Sequence, residues 1–211
     1  MNKSVLAMLV VILASILVSV YVYPLLPEKI AIHWNINDEA DGFSEKGIGL
    51  FFAPALLVVM FLLFQLIPRI DPLKHNIAQF RKQYDLFVFV IIVFMFYVFL
   101  LSILWNLGYR FRFSQALVPA FAVLAYFIGV LLEKAKQNWF IGIRTPWTLS
   151  NEIVWNNTHK LGAKLFKAAG IVSLIGLLFP DFGLLFFVFL MVFISIFLII
   201  FSYFEFKKQK K

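Results

Sequence analysis

The sequence predicts an all-α integral membrane protein with six transmembrane helices and both termini in the cytoplasm. Three observations lead there. Of 211 residues, 63% are hydrophobic and 14% charged, with a mean hydropathy of +0.92, whereas soluble domains run near half apolar and a quarter charged. Several uncharged runs are long enough to cross about 30 Å of hydrocarbon. Lysine and arginine, finally, concentrate in alternate connections, as the positive-inside rule requires.

Residues 5–23 carry no charge. The run outlasts a signal-peptide core and no Ala-x-Ala pattern follows it, so it reads as a retained helix ended by Pro24 and Pro27. Residues 48–67, 86–107, 113–132 and 182–204 are four further uncharged spans. Pro54 and Pro119 lie inside two of them and should kink rather than abolish the helices. Ala125 and Gly129 have the small-xxx-small spacing that lets another helix approach closely. The sixth span, 161–180, is less clean because Lys164 and Lys167 fall in its first two turns. Either both snorkel to the headgroups or the segment is a half-inserted amphipathic helix.

With the N-terminus inside, Lys3, Arg69, Lys74, Arg81, Lys82, Lys134, Lys136, Arg144, Lys160, Lys164, Lys167, Lys207, Lys208, Lys210 and Lys211 are cytoplasmic. Only Lys29, Lys46, Arg110 and Arg112 lie outside, a split of 15 to 4. The net charge of +8 therefore marks orientation in a lipid bilayer, and no direct nucleic-acid binding is expected. Two units follow: 1–67, a helix pair around an outer loop at 24–47, and 68–211, four helices with a cytoplasmic loop at 133–160.

The outer loop is acidic, with Glu28, Asp38, Glu39, Asp41 and Glu45 against Lys29 and Lys46. The alternation Ile30, Ile32, Trp34 predicts a strand, and Asp41-Gly42 a turn. Asn37, Glu39, Asp41 and Gly42 fit the start of an EF-hand loop, but Ile48 stands where its bidentate Glu belongs, which rejects calcium. His33, Trp34, Asn35, Asp41 and Lys46 are the candidate ligand-binding residues. An interfacial histidine beside an interfacial tryptophan is the plainer alternative for His33 and Trp34.

The inner stretch, 138–162, holds Trp139, Trp147 and Trp155, three of five tryptophans, with Arg144, Glu152 and His159. Gly142 permits a close approach and Thr145-Pro146 fixes a bend. Ser150 is the expected N-cap of a helix over 151–169. Glu152, Trp155 and His159, three and four apart, then share one face, and Glu152 is a partner by sign for Arg144. Tryptophan belts often only anchor helix ends, but anchoring needs neither an arginine nor a rigid bend. Membrane insertion is expected not to depend on this cluster.

There is no cysteine, which removes disulfides, thiolate metal sites and cysteine nucleophiles. The cores of the five clean spans hold no Asp, Glu, His, Lys or Arg, where proton relays and ion-coupled carriers keep their working groups. His33 lies across the membrane from His75 and His159, so no histidine metal site is expected. No Ser–His or paired-carboxylate arrangement is visible. The sequence predicts neither an enzyme nor a cofactor protein.

Asn-Trp-Phe-Ile-Gly-Ile-Arg-Thr-Pro-Trp-Thr-Leu-Ser (138–150) and Val-Trp-x-x-Thr-His-Lys-Leu-Gly (154–162) resemble the signature of the SdpI/YfhL family of bacterial membrane proteins. Leu-Pro-x-x-Ile-x-x-His-Trp-Asn (26–35) and Asp-Gly-Phe-x-x-Lys (41–46) resemble the extracytoplasmic module, a domain of unknown function, at the start of those proteins. A glycine expected near 37–39 is missing. The resemblance covers nearly the whole chain and implies a multi-pass protein of a bacterial plasma membrane. It implies immunity to a secreted peptide toxin bound outside, with a DNA-binding repressor held at the membrane inside. Its motifs add Asn138, Gly142, Thr145, Pro146, Trp147 and Thr148 to Arg144, Glu152, Trp155 and His159 as the cytoplasmic output or gating element. The alternatives are a regulatory receptor without toxin ligand and, with little polar path to support it, a small-molecule or lipid transporter.

Overall fold

The computed structural model describes residues 3–209; Lys210 and Lys211 of the basic tail lie outside them. Helix α1 (Lys3–Val22) runs through a short 3-10 turn (Tyr23–Leu25) into an antiparallel hairpin of β1 (Lys29–Trp34) and β2 (Ala40–Glu45). There follow α2 (Lys46–Ile70), the short α3 (Lys74–Gln79), α4 (Arg81–Asn106), α5 (Phe113–Lys134), the single-turn α6 (Pro146–Ser150), α7 (Glu152–Ser173) with a 3-10 extension (Leu174–Leu178), and α8 (Gly183–Gln209). Six of these helices are long and apolar enough to cross a membrane, so the chain is mostly helical, with one hairpin at one end of the bundle. Helix α2 continues through Pro54 and Pro68, and α5 through Pro119.

Helices α1, α2 and α4 pack together, α5, α7 and α8 pack together, and α4 joins the two sets through α5. On one side α1, α2 and α4 close around Met8, Ile12, Leu57, Val88 and Ile92. On the other, α5 and α7 pack most extensively, with α8 against α7 through Ala169, Ile194 and Leu198. Gly129 explains the intimacy of α5 with α7: a Cβ there would lie 2.7 Å from the Ala163 carbonyl oxygen and from Lys167 Cγ. This is the close approach that the Ala125/Gly129 spacing predicts. The first core also takes in Leu131, Ala135 and Ile141, so it crosses the boundary expected at residue 67.

Helix α7 begins at Glu152, nine positions before the expected span, and reaches Leu178 as one candidate crossing. Lys160 and Lys164 therefore lie on the first half of a long crossing and Lys167 just past its middle, which favours snorkelling over a half-inserted segment. The serines of α1 inside the bundle bond to their own helix, as lipid demands. Ser15 donates to the Ile12 carbonyl at 2.6 Å and Ser19 to the Ser15 carbonyl at 2.9 Å.

The hairpin departs from its expected register. Its turn falls at 35–39, where the Asn35 N–H donates to the Glu39 carbonyl at 2.9 Å, while Asp41 and Gly42 lie within β2. A register shift between Ala31 and His33 makes Ile32 an extra residue in β1. Ile30 is consequently buried and Ile32 half exposed, although alternation alone puts them on one face.

Candidate functional site

At the hairpin end, His33 and Asp41 face each other across the strands, with Nδ1 and Oδ1 2.5 Å apart and both side chains open to solvent. Asn35 does something else: its Oδ1 accepts from the N–H groups of Asn37 at 2.9 Å and Glu39 at 3.1 Å, so it shapes the turn. Lys46 is likewise occupied, pairing with Glu28 at 2.8 Å above the Tyr23 ring. Of the five residues expected to bind ligand, Asn35 and Lys46 are thus taken up by contacts within the loop, while His33 and Asp41 are exposed.

Trp34 stacks on Phe113 at 4.1 Å and meets Trp105 edge-on at 5.5 Å. Its indole Nε1–H is buried without a hydrogen-bond partner, a defect that costs about 1–3 kcal/mol when nothing fills it. It borders a largely apolar cavity of about 470 Å³ shared by His33, Phe52, Met95, Phe99 and Leu117. Two side chains, an amide and a carboxylate, hold the hairpin above that cavity. Asn106 accepts from the Ala31 N–H at 2.8 Å and donates to the Ala31 carbonyl at 2.9 Å, completing both groups of a strand residue from a helix end. At the tip, Asp38 accepts from the Ser114 N–H at 2.6 Å and its hydroxyl at 2.7 Å, at the start of α5.

The loop at the opposite end is built differently. Buried Asn138 accepts from the N–H groups of Phe140 at 3.0 Å and Ile141 at 2.6 Å, and donates to the carbonyls of Lys136 and Ile141. Thr145 caps α6, with Pro146 at its first position. Its Oγ1 accepts from the Thr148 N–H at 3.2 Å while the Thr145 N–H donates to Thr148 Oγ1 at 2.9 Å. Thr148 Oγ1 also donates to the Ile143 carbonyl, and Thr145 meets Ser202 of α8 at 3.0 Å. Trp147 packs edge-on against Tyr203 at 5.2 Å.

Trp155 and His159 are stacked and buried, with ring centroids 3.9 Å apart. The indole N–H of Trp155 donates to the Ala135 carbonyl at 2.9 Å. His159 is bonded at both nitrogens: Nδ1 lies 2.8 Å from the Trp155 carbonyl and Nε2 accepts from the Ile143 N–H at 3.0 Å. That pattern fixes the neutral tautomer with its proton on Nδ1. Gly142, at φ +113°, lies against this ring, and a Cβ there would overlap Nε2.

Three expectations need correcting here. Asn151, not Ser150, caps α7, its Oδ1 accepting from the N–H groups of Ile153 and Val154; Ser150 closes α6 instead. Glu152, Trp155 and His159 do not offer one recognition face, because Glu152 is exposed while the two rings turn inward. Arg144 does not pair with Glu152 among the described residues; its guanidinium donates to the Trp139 carbonyl at 2.6 Å.

Sequence reasoning also missed Asp71. It is buried between spans and accepts from the N–H groups of Leu73 at 2.6 Å and Trp139 at 2.9 Å. Gln137 donates to the Thr148 and Leu149 carbonyls, and Asn76 to the Gln137 carbonyl. Asp71-Pro72 after an apolar run was the available signal for a stop, but not for this contact across 68 residues.

Comparison with known proteins matches these two ends separately. The sequence pattern described as the SdpI/YfhL protein family covers residues 134–203, and a domain of unknown function covers residues 10–58. The chain is also 27% identical, over 173 residues, to the immunity protein SdpI of Bacillus subtilis (strain 168). That match spans 82% of this chain and 80% of the relative. In residues 134–203 the chain is thus similar to the SdpI/YfhL family. It is a multi-pass bacterial membrane protein, and the SdpI immunity family is not a known enzyme family. No solved structure matches it. The SdpI/YfhL segment comprises the wired loop with α7 and most of α8; the hairpin and its cavity fall largely to the other domain.

Proposed function

We propose that this protein gives its cell immunity to a secreted peptide toxin by holding the peptide at the hairpin end, which faces outward. The observation that carries this reading is the Trp34 cavity, an apolar recess with an unpaired indole donor beneath exposed His33 and Asp41. A peptide supplies both things the recess lacks, an apolar side chain and a main-chain carbonyl. Acidic Glu28, Glu39, Asp41 and Glu45 around it attract a cationic chain, less strongly as salt rises. Likeness to an immunity protein supports the same reading. Binding, not catalysis, is the activity.

Expression in a toxin-sensitive strain, scored for survival, tests it. Wild type should protect, and Trp34→Ala with Asp41→Ala should not at equal membrane abundance; undiminished protection by that variant refutes the assignment. Orientation is tested separately with Asn37→Cys and Ser150→Cys in this cysteine-free chain. An impermeant thiol reagent should label the first and spare the second on intact cells.

A second reading, capture of a DNA-binding repressor at the loop end, is favoured by exposed Trp139, Phe140 and Ile153 beside Arg144 and Glu152. The docking residues would then be these, and not the buried Trp155–His159 pair. Loss of a repressor from the membrane fraction in Trp139→Ala, with toxin protection retained, is its expected signature.

A further inference from the structure

Below the tight crossing at Gly129, α5 and α7 separate. Helix α5 ends at Lys134 and the chain turns away into the Asn138 loop, while α7 continues to Glu152. The gap left between them is a cleft of about 520 Å³ lined by Lys134, Lys160, Lys164 and Lys167 with Glu133, Asn156 and His159. Lys160, Lys164 and Lys167 are spaced by four and three residues, so one face of α7 supplies them. Lys134 comes from the facing helix. Glu133 is the one carboxylate in the cleft; it pairs with Lys167 and lies 3.9 Å from Lys134. Lys160 and Lys164 have no carboxylate partner among the described residues. His159 contributes no charge, since both ring nitrogens are engaged as described above.

We propose that this cleft binds the phosphate of an anionic phospholipid headgroup. Snorkelling lysines reach water individually and require no recess. Here four lysines from two helices line one concavity, against a single carboxylate. A phosphate offers oxygen acceptors enough for several of them at once. The cleft also lies where lipid can enter. Lys164 and Lys167 lie in the fourth and fifth turns of α7, a helix of membrane-crossing length. A headgroup there keeps its acyl chains against the apolar half of the same helix. Basic recesses between membrane helices are suited to such headgroups, with about 1 kcal/mol of attraction per Lys or Arg near the surface. The site is independent of toxin binding.

The full chain, purified in a zwitterionic detergent, is titrated with dihexanoyl phosphatidylglycerol, dihexanoyl phosphatidylcholine or inorganic phosphate while thermal unfolding is followed. Phosphatidylglycerol should raise the midpoint saturably, and phosphatidylcholine should not. Lys160→Gln with Lys164→Gln should raise the half-saturating concentration on the order of tenfold. Lys160→Arg with Lys164→Arg should restore it, and Lys207→Gln with Lys208→Gln, the same charge loss on α8, should leave it unchanged. Should the first pair fail to fold, Lys134→Gln alone must still weaken binding. An equal response to phosphatidylcholine, or an unaltered response in the cleft variants, overturns the site. Inorganic phosphate acting as well as the lipid overturns the lipid source.

Discussion

The two ends of this bundle treat the same kinds of residue in opposite ways. At the loop end, Trp155, His159, Asn138 and Asp71 are buried with their polar atoms paired. At the hairpin end, Trp34 is left with a buried, unpaired donor, and His33 and Asp41 stand in solvent. A tryptophan and a histidine four residues apart at one end are bonded at every ring nitrogen; of a histidine and a tryptophan adjacent at the other, the first is exposed and the second keeps an unpaired donor. Residue type marks both places, and only the partners tell them apart.

If that contrast is sound, the largest effects on folding come from the loop end. Gly142→Ala should be the most damaging single change, combining a left-handed backbone position, about 1–2 kcal/mol for a residue with a Cβ, with displacement of the His159 ring. Loss of that ring's acceptor strands the Ile143 N–H, a further 1–3 kcal/mol or so. Membrane abundance should fall to a small fraction of wild type. His159→Ala should follow in the same direction, against the sequence expectation that this cluster does not affect abundance. Normal abundance of both variants would show that the loop is not the structural end.

Asp71→Ala is the next step down, because it orphans the N–H groups of Leu73 and Trp139 and loses roughly 2–4 kcal/mol. Its measure is the thermal midpoint in detergent. This residue also marks the limit of what the sequence reveals. The six apolar helices and the close approach at Gly129 follow from runs and spacings within single segments, and were legible. Contacts between segments were not: Asp71 to Trp139, Asn106 to Ala31, and Thr145 to Ser202 each join distant stretches. A motif dense in Trp, Arg and His looks like a recognition surface because its partners, main-chain carbonyls and amides, have no signature in the sequence. The hairpin register failed for a related reason, since a one-residue bulge reverses which side chains face the core.

The comparison sharpens at Trp34. Trp34→Phe removes an unpaired donor and keeps most of the stacking on Phe113. Stability should stay within about 1 kcal/mol of wild type, since the lost ring area and the relieved donor oppose each other. Toxin protection at equal abundance should nevertheless drop, because the peptide carbonyl loses its donor. A variant that folds and protects normally leaves the indole N–H without a role.

The smallest expected effect lies at the hairpin tip and concerns the glycine expected from the sequence resemblance near 37–39. Asp38 occupies the left-handed region at φ +62°, the conformation for which a glycine is usual, and aspartate is among the residues that tolerate it. In exchange its carboxylate bonds the start of α5 through both Ser114 groups. Asp38→Gly therefore loses two hydrogen bonds and gains backbone ease, and should cost about 1 kcal/mol or less. Asp38→Ala loses the same bonds and keeps the strain, so it should be worse than the glycine variant by about 1 kcal/mol. Thermal unfolding of the pair reads the two terms apart. Equal destabilisation by both would mean that the tip relaxes once the carboxylate is gone, and that the Ser114 bonds alone hold Asp38 in its left-handed conformation.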